Sequence, residues 1–125
     1  MGRNLHIVFS HPGEGVSDEE FDRWYEEHID EILEMPGFHA AQRYRLQPEV
    51  QAEGVVFPFR TLVVYEVDDD TAALMEGMRQ ANLDSADSYS DRKDAGDDGP
   101  PLPEWWSQVR FASFNCIAVG ERHVA

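Results

Sequence analysis

The chain has few means of cross-linking itself or attracting a polyanion. Its 125 residues include one cysteine, Cys116, and one lysine, Lys93. A lone cysteine excludes an intrachain disulfide and a cysteine-rich zinc site. With 25 acidic residues against 10 basic ones and a formal charge of -15, most of the surface repels nucleic acid and anionic lipid, so neither nucleic acid nor a membrane is expected as a partner. The acidic balance reads instead as a solubility feature. No apolar run approaches the ~18 residues of a membrane span, and the stretch at the amino terminus, MGRNLHIVFSHPG, is too short in apolar residues for a secretory signal. The expectation is a soluble, cytoplasmic protein.

Recognised motifs are also scarce. Gly13-Glu14-Gly15 lacks the remaining glycine and the spacing of a dinucleotide-binding loop. Glu27, His28 and Glu31 occur together but form no HExxH, and His11, His39 and His123 show no pairing by spacing, so no metal site is expected. Ser10 and Cys116 lack the sequence surroundings of a nucleophile.

The segment Ser17 to Tyr44, SDEEFDRWYEEHIDEILEMPGFHAAQRY, is much richer. Ser17 can cap a helix while Glu20 reaches back to the cap amide, and Val16 can staple against Phe21. Phe21, Trp24, Tyr25, His28, Ile29, Ile32 and Leu33 recur at the three- and four-residue spacing of one helical stripe. Asp22, Glu26, Glu27, Asp30, Glu31 and Glu34 fall largely on the opposite, acidic face. Met35-Pro36-Gly37 stops the helix, and Phe38 to Leu46 reads as a strand.

Around this unit, Asn4 to Phe9 reads as a first strand, Gln47 to Phe59 as a loop, and Arg60 to Val67 as a strand rich in β-branched residues. Asp68-Asp69-Asp70-Thr71 starts a second helix with Leu74, Met75, Met78 and Ala81 on its stripe. Ala81 to Pro103, acidic and rich in proline and glycine, reads as a long loop, and Trp105 to Val119 as a last strand, preceded by a helical turn at Glu104 to Ser107. The length suits a single domain over 1–125. The order β-α-β-β-α-β is the α+β, ferredoxin-like pattern, an antiparallel sheet with both helices on one face. The strands are apolar on both faces, Leu5, Ile7 and Phe9 against Val8, and Leu62 and Val64 against Val63 and Tyr65. The second sheet face therefore needs a cover, most economically another copy of the chain, and a homodimer is expected.

The run Trp24-Tyr25-x-x-His28, an aliphatic stretch, Pro36-Gly37 and then Arg43-Tyr44 in the next strand resembles the EthD-like family of the dimeric α+β barrel superfamily. The resemblance implies a barrel built from the sheets of two subunits, with a ligand pocket in each between sheet and helices. It implies no single reaction, because the superfamily includes polyketide cyclases, muconolactone-type isomerases, cofactor-free monooxygenases and haem-handling proteins.

His28 is the first candidate for chemistry, a titratable group set in an apolar stripe where burial and neighbouring glutamates oppose each other on its pKa. As a base it would serve proton transfer; as a core residue it would be tied to a carbonyl or a glutamate. His6 shares a strand face with Val8 and Ser10, and the resemblance places a first-strand histidine towards the pocket, with His28 as its partner. Tyr65 is a candidate donor to an oxyanion or a packed core tyrosine. Trp24, Tyr25, Trp105 and Trp106 are candidate pocket walls or core aromatics, and Arg43 a candidate carboxylate contact or a solvated strand residue. The leading expectation is a small apolar, aromatic or polyketide-like ligand and cyclase, isomerase or lyase chemistry without a cofactor. The alternatives are a non-catalytic ligand-binding or accessory protein for an oxygenase or degradation pathway, and a haem-binding protein or cofactor-free monooxygenase.

Overall fold

The first helix starts where its cap places it. In the computed structural model, which describes residues 4–47, 57–97 and 101–125, Ser17 Oγ accepts from the Glu20 amide at 3.1 Å and α1 runs Asp18–Leu33. Asp18, Glu19 and Glu20 in its first turn complement the positive end of the helix dipole. Phe21, Trp24, Tyr25, Ile29 and Ile32 are buried, as their spacing requires. Gly37 then turns the chain with φ of +90°. That left-handed conformation is what asks for glycine, while a Cβ there would also press on the end of the Leu74 side chain, Cδ1, at 2.9 Å.

Four strands follow the expected order: β1 Asn4–His11, β2 Phe38–Arg45, β3 Thr61–Val67 and β4 Arg110–Cys116. They form one antiparallel sheet in the order β2-β3-β1-β4, the ferredoxin-like arrangement. In register, Val8 lies beside Val63 and Ser113, and His6 beside Tyr65 and Asn115. This set faces the helices. Leu5, Ile7, Phe9, Leu62, Val64 and Phe114 face the other way by alternation. β4 is shorter than Trp105 to Val119: Trp105 is buried before the strand, Trp106–Gln108 forms a 3₁₀ turn, and past Cys116, which pairs with Leu5, β1 leaves almost nothing further to pair with.

Asp70 caps α2, Thr71–Gln80, through the Ala73 amide at 3.0 Å, and Leu74 and Met78 are its buried stripe. The expected loop from Ala81 to Pro103 is corrected by a third helix, α3, Ala86–Asp94, capped by Ser85 through the Ser88 amide at 3.1 Å. Only Tyr89 of α3 is buried apolar surface, so an apolar stripe could not announce it. Most of the expected loop at Gln47 to Phe59 lies outside the described residues. Among the described residues no helix is long and apolar enough to cross a membrane.

Candidate functional site

Strand alternation turns His6 towards the helices, where it is 2% exposed. Its Nδ1–H donates to the Asn115 Oδ1 on the neighbouring strand at 2.8 Å, which leaves Nε2 as an acceptor. Phe38 meets the ring edge-on and Tyr65 at a tilt, both at 6.0 Å between centroids. Burial lowers the His6 pKa from 6.5, with the Asn115 hydrogen bond opposing, so the ring is mainly neutral at pH 7.

His28 approaches the same space from α1. Trp24 stacks on it at 4.9 Å and 13°, and Tyr89 of α3 meets it edge-on at 4.8 Å. Its Nδ1–H donates to Glu31 Oε1 at 3.2 Å. Burial lowers its pKa, the hydrogen bond and charge of Glu31 raise it, and Lys93 and Arg92 lower it again, so His28 too is mainly neutral at pH 7.

Glu31 is a correction to the sequence reading. It belongs by spacing to the acidic face, yet it is 8% exposed. Besides His28, it accepts from the Tyr89 hydroxyl at 2.6 Å and from Lys93 Nζ at 2.9 Å. Burial alone would push its pKa up. The hydrogen bonds from His28, Tyr89 and Lys93 outweigh that and hold it well below the usual carboxylate range. Lys93 also bonds Asp97, and Arg92 pairs with Asp97 at 3.0 Å. Two cations thus face two carboxylates beneath α3.

His6 and His28 share one cavity of about 70 Å³, lined also by Tyr25, Tyr65 and Trp106. Val8, Ile32, Met75, Met78, Leu83 and Phe111 supply its apolar wall; Asp84, Ser85, Tyr89 and Ser113 add polar groups. A water needs about 10–15 Å³ of such space, so there is room for several waters or a compact organic molecule. Among the described residues no lysine or arginine lines it. Burial pushes the Tyr65 phenol well above 10.0 and so keeps it protonated. The Tyr25 hydroxyl beside it engages Ser10.

Of the eight residues expected at a site, His6, His28, Tyr65, Tyr25 and Trp106 line this cavity. The other three do not. Trp24 supports His28 from behind, its Nε1–H donating to the Pro101 carbonyl at 3.2 Å. Trp105 packs against Phe21 and Trp24 at 5.6 and 5.8 Å. Arg43 pairs with Asp22 at 2.8 Å and lies over the Tyr25 ring at 4.9 Å, beside a separate shallow depression with Tyr44, Arg45 and Thr61. Sequence reasoning missed Asn115, Tyr89 and Glu31. The i,i+3 spacing of His28 and Glu31 was the available signal for the last; the other two depend on strand register and on α3. Among the described residues no three or more His, Cys, Asp or Glu side chains converge to hold a metal ion.

One solved structure repeats this architecture. An Arabidopsis thaliana protein aligns with 96% of this chain and 99% of its own at a TM-score of 0.63 and 8% identity. An EthD family protein of Bacillus halodurans C-125 aligns with 98% of this chain and 100% of its own, at a TM-score of 0.45 and 17% identity. The first likeness establishes the fold. No family model and no curated protein matches the sequence. Chemistry must therefore be argued from the cavity itself.

Proposed function

We propose that the cavity binds a small, largely apolar molecule and moves a proton on it without a cofactor. The observation that carries this reading is the convergence on one apolar space of two histidines, each with Nδ1 engaged and Nε2 left as an acceptor, and the protonated Tyr65 phenol. In the proposed step His28 Nε2 takes a proton from carbon next to a carbonyl. The Tyr65 O–H donates to the oxygen as negative charge develops there, and the proton returns from the imidazolium at another atom. His6 serves as a second acceptor. Cyclisation, isomerisation and elimination all follow that course. Among the described residues no cation joins the lining, which disfavours an anionic ligand, and the volume favours one below the ~300–1,000 Å³ of drug-sized sites.

The outer sheet face supports a homodimer as the working form. Phe114 and Tyr44 are 56% and 52% exposed there, and of the strand residues on that face only Glu66 is acidic, in a chain with 25 acids. Such a surface fits a second copy of itself.

The test begins with a ligand identified by mass spectrometry after native purification. Incubated with the protein in D2O, it should take up deuterium at an activated C–H position, and His28→Gln should slow that uptake roughly 10²–10⁴-fold. Binding without exchange would make the protein a carrier and remove the catalytic reading.

A further inference from the structure

We infer that Glu31 is a positioning residue for His28, fixing its imidazole in the tautomer that presents an unprotonated Nε2 to the cavity, and that α3 holds Glu31 in place to do so. The inference rests on the reading of His28 as the base. An ionised carboxylate offers acceptors only, so the ring nitrogen facing it must carry the hydrogen. Glu31 Oε1 lies 3.2 Å from His28 Nδ1, and Glu31 is one helical turn on, on the same side of α1. A glutamate at that spacing would ordinarily turn to water. Here Tyr89 holds one carboxylate oxygen at 2.6 Å and Lys93 the other at 2.9 Å, both donated by α3.

The charges around the pair narrow what Glu31 does. His28 and Glu31 face Trp24 and Tyr25 of α1, Tyr89, Arg92 and Lys93 of α3, and Asp97 just beyond it. The carboxylates of Glu31 and Asp97 are matched by Lys93 and Arg92, so no net negative charge is left over to favour an imidazolium. What Glu31 supplies is direction, the choice of which nitrogen is bare.

Imidazole nitrogen NMR on protein labelled in histidine reads this directly. Wild-type His28 should be neutral and in the Nδ1–H form, favoured by about tenfold or more, as expected for a hydrogen bond to a charged acceptor. Glu31→Gln can accept from Nδ1–H or donate to bare Nδ1, so the two tautomers should become comparable while the His6 signals stay put. Tyr89→Phe leaves Glu31 its other donors and should keep the wild-type tautomer. A wild-type His28 protonated mainly at Nε2 would overturn the inference, whether or not Glu31→Gln folds; so would a Glu31→Gln spectrum identical to wild type. Failure of the base reading looks different, because His28→Gln would then keep full deuterium exchange while the wild-type tautomer was still fixed.

Discussion

At the scale of single residues, the buried titratable groups make stability depend on pH in two stages. His6 and His28 have pKa values below 6.5 in the folded chain. Between 6.5 and those lower values the unfolded chain binds protons that the folded chain refuses, so stability is full above 6.5 and declines as pH falls through that window. Glu31 acts further down. Its folded pKa is held below 4.5, so its contribution is complete above 4.5 and is lost as pH falls towards its folded value. Melting temperatures measured from pH 8 to pH 3 should show both declines. His6→Asn should flatten part of the first, and Glu31→Gln should shrink the second; a wild-type curve flat from pH 7 to pH 5 would show that the histidines are not buried as described.

At the scale of elements, α3 is held by polar contacts, and this makes it the weakest part of the cavity wall. Tyr89 is its one buried apolar side chain, while Lys93, 6% exposed at its side chain, bridges Glu31 and Asp97. Lys93→Met removes the cation between two carboxylates, a change that costs about 3–5 kcal/mol when a buried pair is broken. Because the loss falls on one short helix, amide hydrogen exchange in residues 86–94 should accelerate far more than in β1 or β3. Equal acceleration everywhere would mean that α3 is part of the core. The same contrast explains what could be read in advance. A cap, a staple and a stripe of seven residues announce α1, and β-branched alternation announces β3, because each signal lies within one segment. Helix α3 has no such stripe, and its main contacts reach residues 58 and 62 positions away. His28 and His6 were legible as a pair, since alternation and helical spacing turn both to the same side. The inward turn of Glu31 was not, because it requires the partners α3 brings.

At the scale of the whole molecule, the sheet has one face under the helices and a second face on which, among the described residues, Phe57 and Phe59 pack against Phe9 while Phe114 and Tyr44 stay exposed. Phe114 is the most exposed apolar strand residue of that second face and pairs with Ile7 in the register. Phe114→Glu should therefore alter the stability of a single copy by only about 0.5 kcal/mol while abolishing self-association. Light scattering during size-exclusion chromatography should give twice the chain mass for the wild type and the chain mass for the variant. A wild-type monomer at micromolar concentration would remove the dimer. The net charge of -15 on each copy also means that dilution in low salt should favour separation, and added salt should favour the pair.

Helix α3 has one more consequence, for how such a protein can change over generations. The groups assigned to proton movement belong to β1, β3 and α1, the framework on which folding depends. The connection from Leu83 to Asp97 closes the cavity with a separate stretch of chain. Reactivity and selectivity are thus inherited on different pieces. A new connection need keep only a hydroxyl and a cation where Tyr89 and Lys93 meet Glu31; its length and its other side chains are free to redraw the cavity, and a chimera exchanged there would take a different guest into the same chemistry.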